Sequence, residues 1–257
     1  KLRFSYSGNY QLAWADLSDY NLMNAGEKLE FERLAGHYGA LDDDGEILHD
    51  TNRVLYYKRL ARVASGLNTY WLSMPLRTAF THEHSLNLEG GDKDFRYGLT
   101  FRYKNNQGVM KKSERQNIDG TINLLYRVDK FNLSNQTTIG HTNAPNNVVA
   151  FSSFAKMNPY ESPYDSNGEV LKVLEEKSVY NPLWDFNQNS YDKNNALSMT
   201  NNFIIEYTPI QGMRVQGKLG LSTSRSSSEV FVSPYATSFI GVESTKQGSY
   251  DHTAYKQ

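Results

Sequence analysis

The chain has 257 residues, no cysteine and a formal net charge of -1. This length fits one all-β domain or two smaller ones, and the near-neutral charge gives no electrostatic case for nucleic acid as a partner. The absence of cysteine excludes disulfide bonds and thiolate metal sites, and the 18 tyrosines and 12 phenylalanines argue against disorder.

No segment looks like a membrane helix or a targeting sequence. No apolar run approaches the roughly 18 residues that a membrane helix requires, and no basic, apolar and small-residue pattern of a signal peptide opens the chain. If the protein is exported, we therefore expect the sequence to be a mature or internal piece.

The first predicted strand, residues 1–14, alternates strictly between two kinds of side chain. One side is apolar or aromatic and consists of Leu2, Phe4, Tyr6, Gly8, Tyr10, Leu12 and Trp14. The run is longer than an ordinary strand of about five or six residues. It is long enough to cross a bilayer, which takes roughly 9 to 11 tilted residues.

The same every-second-residue pattern recurs along the chain and predicts about eight strands in all. The other segments are 84–88, 95–104, 117–126, 131–139, 202–207, 213–222 and a last one beginning near Gly248. In the clearest cases one side carries no charge, as with Met213, Val215, Leu219 and Leu221.

The connections between these strands alternate between tight turns and longer loops. The tight, turn-rich connections are 89–94, 127–130 and 208–212, and the longer ones are 15–74, 105–112, 143–194 and 226–247. In an up-and-down sheet this alternation places all tight turns at one end and all loops at the other. Aromatic residues gather near both ends, as in the two girdles of a membrane barrel.

The long loops are predicted to contain helices. Ser18 is a candidate N-cap for a helix within 19–39, and Thr51 for a helix over 52–65 before Gly66. A shorter helix is predicted over 168–177.

The physical interpretation is an antiparallel, all-β, up-and-down transmembrane barrel of which the chain supplies about eight strands. Hydrocarbon cannot hydrogen-bond to the backbone, so only helices or closed sheets cross it, with lipid on one face and water on the other. The polar side chains would then face a wet lumen. The charged candidates for that lumen are Arg96, Arg102, Lys104, Arg214 and Lys218.

Several segments resemble the start of the barrel in SusC/RagA-type TonB-dependent outer-membrane receptors of the Bacteroidota. They are SDYNLMNAGEKLEFERLAG, NTYW, RTAFTHEHSLNLEGGDKDFRYGLTFRYKNNQGVMKKSE, NPYESPYDSNGEV and FVSPY. The match is spread over most of the chain. It departs from the family at Tyr70, where an acidic residue is frequent, and at His82-Glu83-His84, where an Asn-His pair is common.

The resemblance implies a 22-stranded barrel with an N-terminal plug, located in the outer membrane of a Gram-negative bacterium. It implies uptake of glycan oligomers or peptides, powered through TonB and assisted by a SusD-like surface lipoprotein lid. The sequence contains neither a plug nor a TonB box, so residues 1–257 are expected to be the N-terminal part of the barrel, in contact with outer-membrane lipid.

Motifs for metal binding and catalysis are weak. Asp42-Asp43-Asp44-Gly45-Glu46 lacks the alternate spacing of a calcium loop, so a solvated loop tip is favoured. His82 and His84 fit an interfacial or strand-end pair better than a zinc site. The carboxylate pairs Glu175 with Glu176 and Asp185 with Asp192 give no sign of a glycosidase cleft. We expect no catalytic residue, metal site or cofactor.

Aromatic residues in the long loops are the candidates for solute binding. Trp71, Tyr180, Trp184 and Phe186 could stack on sugar rings or hold peptide side chains. The alternative is that they pack the loops against one another. The importer itself has two alternatives: a soluble β-rich carbohydrate-active enzyme, and a small structural or adhesive outer-membrane barrel.

Overall fold

The computed structural model describes residues 2–174 and 179–257. Eight antiparallel strands form one sheet in which each strand pairs with its sequence neighbours. The strands are β1 Arg3–Ala13, β2 Ala79–Gly91, β3 Phe95–Gln107, β4 Glu114–Val128, β5 Phe131–Asn146, β6 Tyr191–Tyr207, β7 Val215–Val232 and β8 Ser249–Lys256. The predicted all-β, up-and-down arrangement is confirmed.

The helices lie in the connections. They are α1 Ala25–Leu34, α2 Asp50–Ala64, α3 Phe151–Ala155 and α4 Pro182–Asn187, with single 3-10 turns at Trp71–Ser73, Thr237–Phe239 and Ser244–Lys246. In the part of the chain that the structure describes, no helix is both long and apolar enough to cross a membrane.

The strand register keeps the apolar residues of neighbouring strands on one face. Phe4 pairs with Leu88, Leu88 with Leu99, and Leu99 with Ile122, which makes one apolar row across four strands. Because side chains alternate with a period of two, a shift of the register by one residue would move the apolar side chains of that strand to the polar face. The registry therefore preserves the two unlike faces that the sequence predicts.

The sheet curves toward its polar face. Arg3 of β1 and Asn202 of β6 line the same open cavity of about 870 Å³, together with polar residues from the strands between them. Strands so far apart in the sheet share a cavity only if the sheet bends around it. The polar side is therefore concave, as the inner wall of a barrel section is.

Tight turns and loops lie at opposite ends of the sheet. Residues 92–94, 129–130 and 208–214 join the strands at one end, and the loops 14–78, 108–113, 147–190 and 233–248 lie at the other. At the turn end, the rings of Phe131 and Tyr207 stack with their centroids 4.6 Å apart. Phe95 pairs with Tyr126 across the neighbouring strands, so aromatic side chains line this end.

The dry core lies in the loops and not beneath the sheet. One cluster joins α1, α2 and the β5–β6 loop through Leu29, Tyr56 and Tyr160, and a second contains Trp71, Phe154 and Phe186. Among the buried apolar residues of the described ranges, Ala79 at the start of β2 is the one that belongs to a strand. The apolar face of the sheet is uncovered.

The helix starts differ from the sequence predictions. The α1 helix begins at Ala25 and not after Ser18, because Asn24 and Glu27 form a capping box while the Ser18 hydroxyl donates to Asp16. The α2 helix begins at Asp50, so Thr51 lies inside it and is not its cap.

The helix predicted over 168–177 is wrong for its described residues. Tyr164 pairs with Val170 as an isolated bridge around a turn in which Gly168 has a φ of 84°. Val173 pairs with Tyr180 as a second isolated bridge. A left-handed residue at position 168 starts a turn and not a helix. Residues 175–178 of this prediction lie outside the described residues.

The hairpin between β2 and β3 requires glycine at position 91. Gly91 has a φ of 122°, and a Cβ there would lie 2.1 Å from the backbone oxygen of Phe95. We expect Gly91→Ala to cost about 1–3 kcal/mol from its conformation, with a further loss because the turn must shift. The measurement is the urea midpoint for refolding into detergent or lipid vesicles.

Gly212→Ala in the β6–β7 turn is the matched control. Gly212 has a φ of 87°, but a Cβ there would meet nothing within 4 Å. We expect its loss to be smaller than that of Gly91→Ala. Equal losses would contradict the steric part of this argument.

Candidate functional site

Cross-strand ion pairs join β2, β3 and β4 on the polar concave face. Arg102 lies opposite Asp119 in the register and donates from Nη2 to its carboxylate at 2.7 Å. Lys104 lies opposite Glu83, with Nζ and the carboxylate 3.4 Å apart. Paired charges of this kind hydrate a surface without giving it a strong net field.

The other basic candidates of this face lie nearer the turn end. Arg214 is 3.9 Å from the Glu206 carboxylate, and Arg96 donates from Nε to the backbone oxygen of Asp92 at 3.3 Å. Lys218 forms no ion pair among the described residues. The strand register places Arg96, Arg102, Lys104 and Lys218 on the polar side. Arg214 lies in the turn before β7, outside the register.

A different surface covers the polar side of β6 and β7, where hydroxyl groups replace charges. Ser198 pairs with Ser224, and Thr200 pairs with Ser222 at an oxygen separation of 3.4 Å. These residues were not predicted from the sequence as part of a site. The signal was the serine-rich run 222–228, whose alternate members share the polar face.

Hydrogen bonds join the β1–β2, β3–β4 and β5–β6 loops into one layer at the loop end of the sheet, which we call the cap. The Trp71 indole N–H donates to the Asn158 backbone oxygen at 2.9 Å, which joins the β1–β2 and β5–β6 loops. The Lys112 ammonium donates to the backbone oxygens of Phe186 and Gln188, which joins the β3–β4 loop to the same segment. Burial lowers the pKa of Lys112.

Two of the four aromatic candidates are buried in this cap, and the other two are exposed or partly exposed. Trp71 and Phe186 are each 3% exposed, and both lie in one buried cluster. These two residues therefore pack the loops against one another, which is the alternative to solute binding. Their ring faces are not accessible to a solute in this arrangement. Tyr180 is 45% exposed, and Trp184 is partly exposed while its indole N–H donates to the Tyr235 backbone oxygen.

A polar network is buried at the centre of the cap. The Tyr160 hydroxyl donates to the Glu32 carboxylate at 2.9 Å, and the Tyr38 hydroxyl donates to the same group at 3.2 Å. The Arg59 guanidinium donates to the Tyr38 hydroxyl and lies 4.7 Å from the centre of the Tyr160 ring. This network ties α1 and α2 to the β5–β6 loop.

Glu161 is the buried carboxyl next to this network, with 4% of its surface exposed. Burial raises its pKa above the ordinary value of 4.5, and Arg59, Arg62 and Lys58 oppose that rise. A raised pKa in the folded state means that the folded protein binds more protons than the unfolded one between the two pKa values. Its contribution to stability is therefore complete below the unfolded pKa and is lost as pH rises through the folded pKa.

We expect the cap to be better protected at pH 5 than at pH 8, and Glu161→Gln to remove that component of the pH dependence. The amide of glutamine stays neutral at both pH values, so it mimics the protonated carboxyl. The measurement is amide hydrogen exchange of residues 158–162, corrected for intrinsic rates. An unchanged pH dependence in the variant would show that Glu161 is not responsible.

The acidic loop motifs serve local structure in the described residues. The Asp42 carboxylate accepts the backbone N–H groups of Asp44 and Glu46, and Asp165 accepts those of Asn167 and Glu169 in the same way. Both therefore close loop-tip turns. Within the described ranges no three His, Asp or Glu side chains converge on one point.

The predicted carboxylate pairs do not form a cleft in the described residues. The Asp185 carboxylate accepts the backbone N–H of Thr237 at 2.7 Å and also its hydroxyl, so it clamps the β5–β6 loop to the β7–β8 loop. Asp192 accepts from Asn194 at 3.2 Å. Glu175 and Glu176 lie outside the described residues.

These features together define a class of structure. An up-and-down antiparallel sheet with an uncovered apolar face, a polar concave face, tight turns at one end and long loops at the other is a section of a transmembrane β-barrel wall. The observed architecture has all four features.

Comparisons with known proteins agree with this class. No family model matches the chain. The TonB-dependent receptor SusC of Bacteroides thetaiotaomicron is 22% identical over 234 residues, which cover 81% of this chain and 23% of SusC. The RagAB peptide importer in its closed-closed state has a TM-score of 0.75 at 16% identity, covering 100% of this chain and 31% of that one. Its open-open state gives a TM-score of 0.71.

The chain thus spans less than a third of the length of these relatives. The resemblance to SusC/RagA-type receptors is confirmed, and the fold is that of a section of their barrel.

Proposed function

We propose that the chain is part of the wall and extracellular loop cap of an outer-membrane importer that takes up solutes in a TonB-dependent manner. The apolar face contacts lipid, the concave polar face lines the lumen, and the loops face outward. The RagAB relative is a peptide importer and SusC is a TonB-dependent receptor. We propose a glycan oligomer or peptide as the solute, with a SusD-like lipoprotein and TonB as partners.

One observation carries this proposal, namely the one-sided distribution of charge. The uncovered face of β1, β2, β3 and β5 carries no Asp, Glu, Lys or Arg. On the other strands the charges of this face lie toward the loop end, as with Glu114 and Arg225. An arginine or lysine facing lipid at the bilayer midplane costs about 2–4 kcal/mol, whereas a surface in water has no such constraint.

In this proposal the lumen is lined by the ion pairs of β2–β4 and by the hydroxyl groups of β6 and β7. Arg96, Arg102, Lys104, Arg214 and Lys218 hydrate it. Of the four loop aromatic candidates, Tyr180 and Trp184 are exposed enough to contact a solute. No contact in the described residues favours the enzyme alternative, because Asp185 is already bound to Thr237.

A cysteine scan tests the orientation, because the chain contains no cysteine of its own. Lys218→Cys and Leu219→Cys, and likewise Asn202→Cys and Phe203→Cys, place thiols on opposite faces of β7 and β6. After reconstitution into lipid vesicles, a water-soluble maleimide should label positions 202 and 218 and spare 203 and 219. Labelling of all four positions to the same extent would contradict the proposed orientation.

Uptake tests the activity itself. Deleting the gene should abolish growth on a glycan oligomer or peptide that the wild type uses, and collapse of the proton gradient should stop uptake of the same labelled solute. Uptake that persists without the gradient would contradict TonB-dependent transport and favour the passive structural barrel.

A further inference from the structure

The apolar face contains a groove above Gly120, near the middle of β4. A Cβ at Gly120 would meet nothing within 4 Å. Its cross-strand partners are Phe101 on β3 and Ile139 on β5, so bulky side chains flank a glycine on both sides. The result is a cavity of about 340 Å³ lined almost wholly by apolar side chains, which include Leu86 and Ile122.

A chain of polar groups crosses the same face beside this groove. The Tyr6 hydroxyl lies 2.7 Å from Nδ1 of His84, and Nε2 of His84 lies 3.2 Å from Nδ1 of His82. If the Tyr6 hydroxyl donates to Nδ1 of His84, then Nε2–H of His84 donates to Nδ1 of His82. The Nε2–H of His82 then has no acceptor among the described residues. If the direction is reversed, the Tyr6 O–H turns to the neighbouring Tyr10 hydroxyl, which extends the chain, and the O–H of Tyr10 is left over. Neutral histidines therefore always leave one donor without a partner.

The groove and the polar chain are continuous. From the turn end toward the loops, the uncovered face of β2 presents Leu88, Leu86, His84 and His82 in order. His84 pairs with Tyr103, which is the next residue on that face of β3 after Phe101. The apolar groove therefore leads toward the loops into a cluster of imidazole and phenol groups.

We infer that this face binds one phosphate-bearing lipid of the leaflet on the loop side. An acyl chain fills the groove above Gly120, and the headgroup phosphate accepts the unpaired donor of the Tyr6–His84–His82 chain. Two features support a phosphate: a hydrogen bond to an ionised acceptor is stronger than one to a neutral acceptor, and this face of β1, β2 and β3 has no carboxylate to repel it. The inference rests on the proposed membrane orientation.

Native mass spectrometry of the protein isolated from membranes in detergent tests the site. The probes are dioleoyl phosphatidylglycerol, dioleoylglycerol with the same chains and no phosphate, and inorganic phosphate alone. We expect phosphatidylglycerol to bind the most tightly. A variant that combines Tyr6→Phe, Tyr10→Phe, His82→Leu and His84→Leu removes every donor of the chain. It should weaken phosphatidylglycerol binding about tenfold or more, because a charge-assisted hydrogen bond is lost, and should leave dioleoylglycerol binding unchanged.

Gly120→Leu fills the groove and should weaken binding of both lipids. Open space at this position means that the leucine itself does not disturb the fold. His141→Leu is the matched control, because His141 lies on the same face of β5, opposite Ile118 and Leu197 and apart from the polar chain. It should bind both lipids as the wild type does.

The outcomes separate the site from the orientation on which it rests. Unaltered phosphatidylglycerol binding in the variant without donors, or equal binding of the two lipids, overturns the site. Inorganic phosphate that binds as tightly as the lipid identifies a free-anion site and also overturns it. If the cysteine scan fails as well, the membrane orientation is wrong; if the scan succeeds, the lipid site alone is wrong.

Discussion

Ile122→Arg should lower the stability of the membrane-folded protein by about 2–4 kcal/mol. Ile122 lies near the middle of β4, is 42% exposed on the uncovered face, and has Leu99 and Thr137 as its cross-strand partners. The arginine cannot reach water without thinning the bilayer or bending along the strand. The measurement is the urea dependence of refolding into lipid vesicles, followed by the shift in gel mobility of the folded barrel.

Asn123→Arg provides the control one residue away. Asn123 is on the concave face and lines the large cavity, so its arginine would lie in water. We expect a change within about 0.5 kcal/mol, as for an ordinary surface substitution. Equal losses at positions 122 and 123 would mean that the two faces do not differ in solvent.

The strands could be predicted from the sequence because lipid on one face and water on the other impose an alternation that residues near the turns obey. The alternation of apolar and polar residues ends where the two faces no longer differ in polarity. β6 begins at Tyr191, although alternation predicts it only from 202, and β7 continues to Val232. Asn194 and Asn195, on opposite faces, show why: in the loop-side half both faces are polar, so no periodicity marks the strand.

The long connections were predicted from the spacing of the strands, but the structure within them was not. Asn24 and Ser18 are equally good helix caps by residue type, and only Glu27 at the third helical position distinguishes Asn24. Segment 168–174 has a helical composition, yet the turn at Gly168 and the bridge at Val170 override it. Local propensity decides less than the contacts that a segment finds.

The candidate site was predictable only in part. Alternation is enough to place Arg102 and Lys104 on the polar face, since a face is a local property. Whether a loop aromatic is accessible depends on distant segments, and Trp71 is buried because residues from the β5–β6 loop pack on it. The bond between Tyr160 and Glu32 joins residues 128 positions apart, a separation that no spacing argument can detect.

That buried network gives the second large expected effect. Arg59→Met should destabilise the loop cap by about 3–5 kcal/mol, the usual consequence of leaving buried charge without its partner. Arg59 is 2% exposed and lies between the Tyr38 hydroxyl and the Tyr160 ring. It also opposes the raised pKa of the buried Glu161. Methionine keeps the length of the side chain and removes the charge.

The loss should be confined to the cap because no strand contributes to the network. Amide hydrogen exchange should accelerate in α1, α2 and residues 158–162 and remain unchanged in β3 and β4. Arg53→Met on the same helix is the control: the Arg53 side chain is 44% exposed and pairs with Asp50 one turn away. An exposed pair of this kind contributes at most about 1 kcal/mol. If both variants exchanged alike, the cap would depend on apolar packing alone and not on this network.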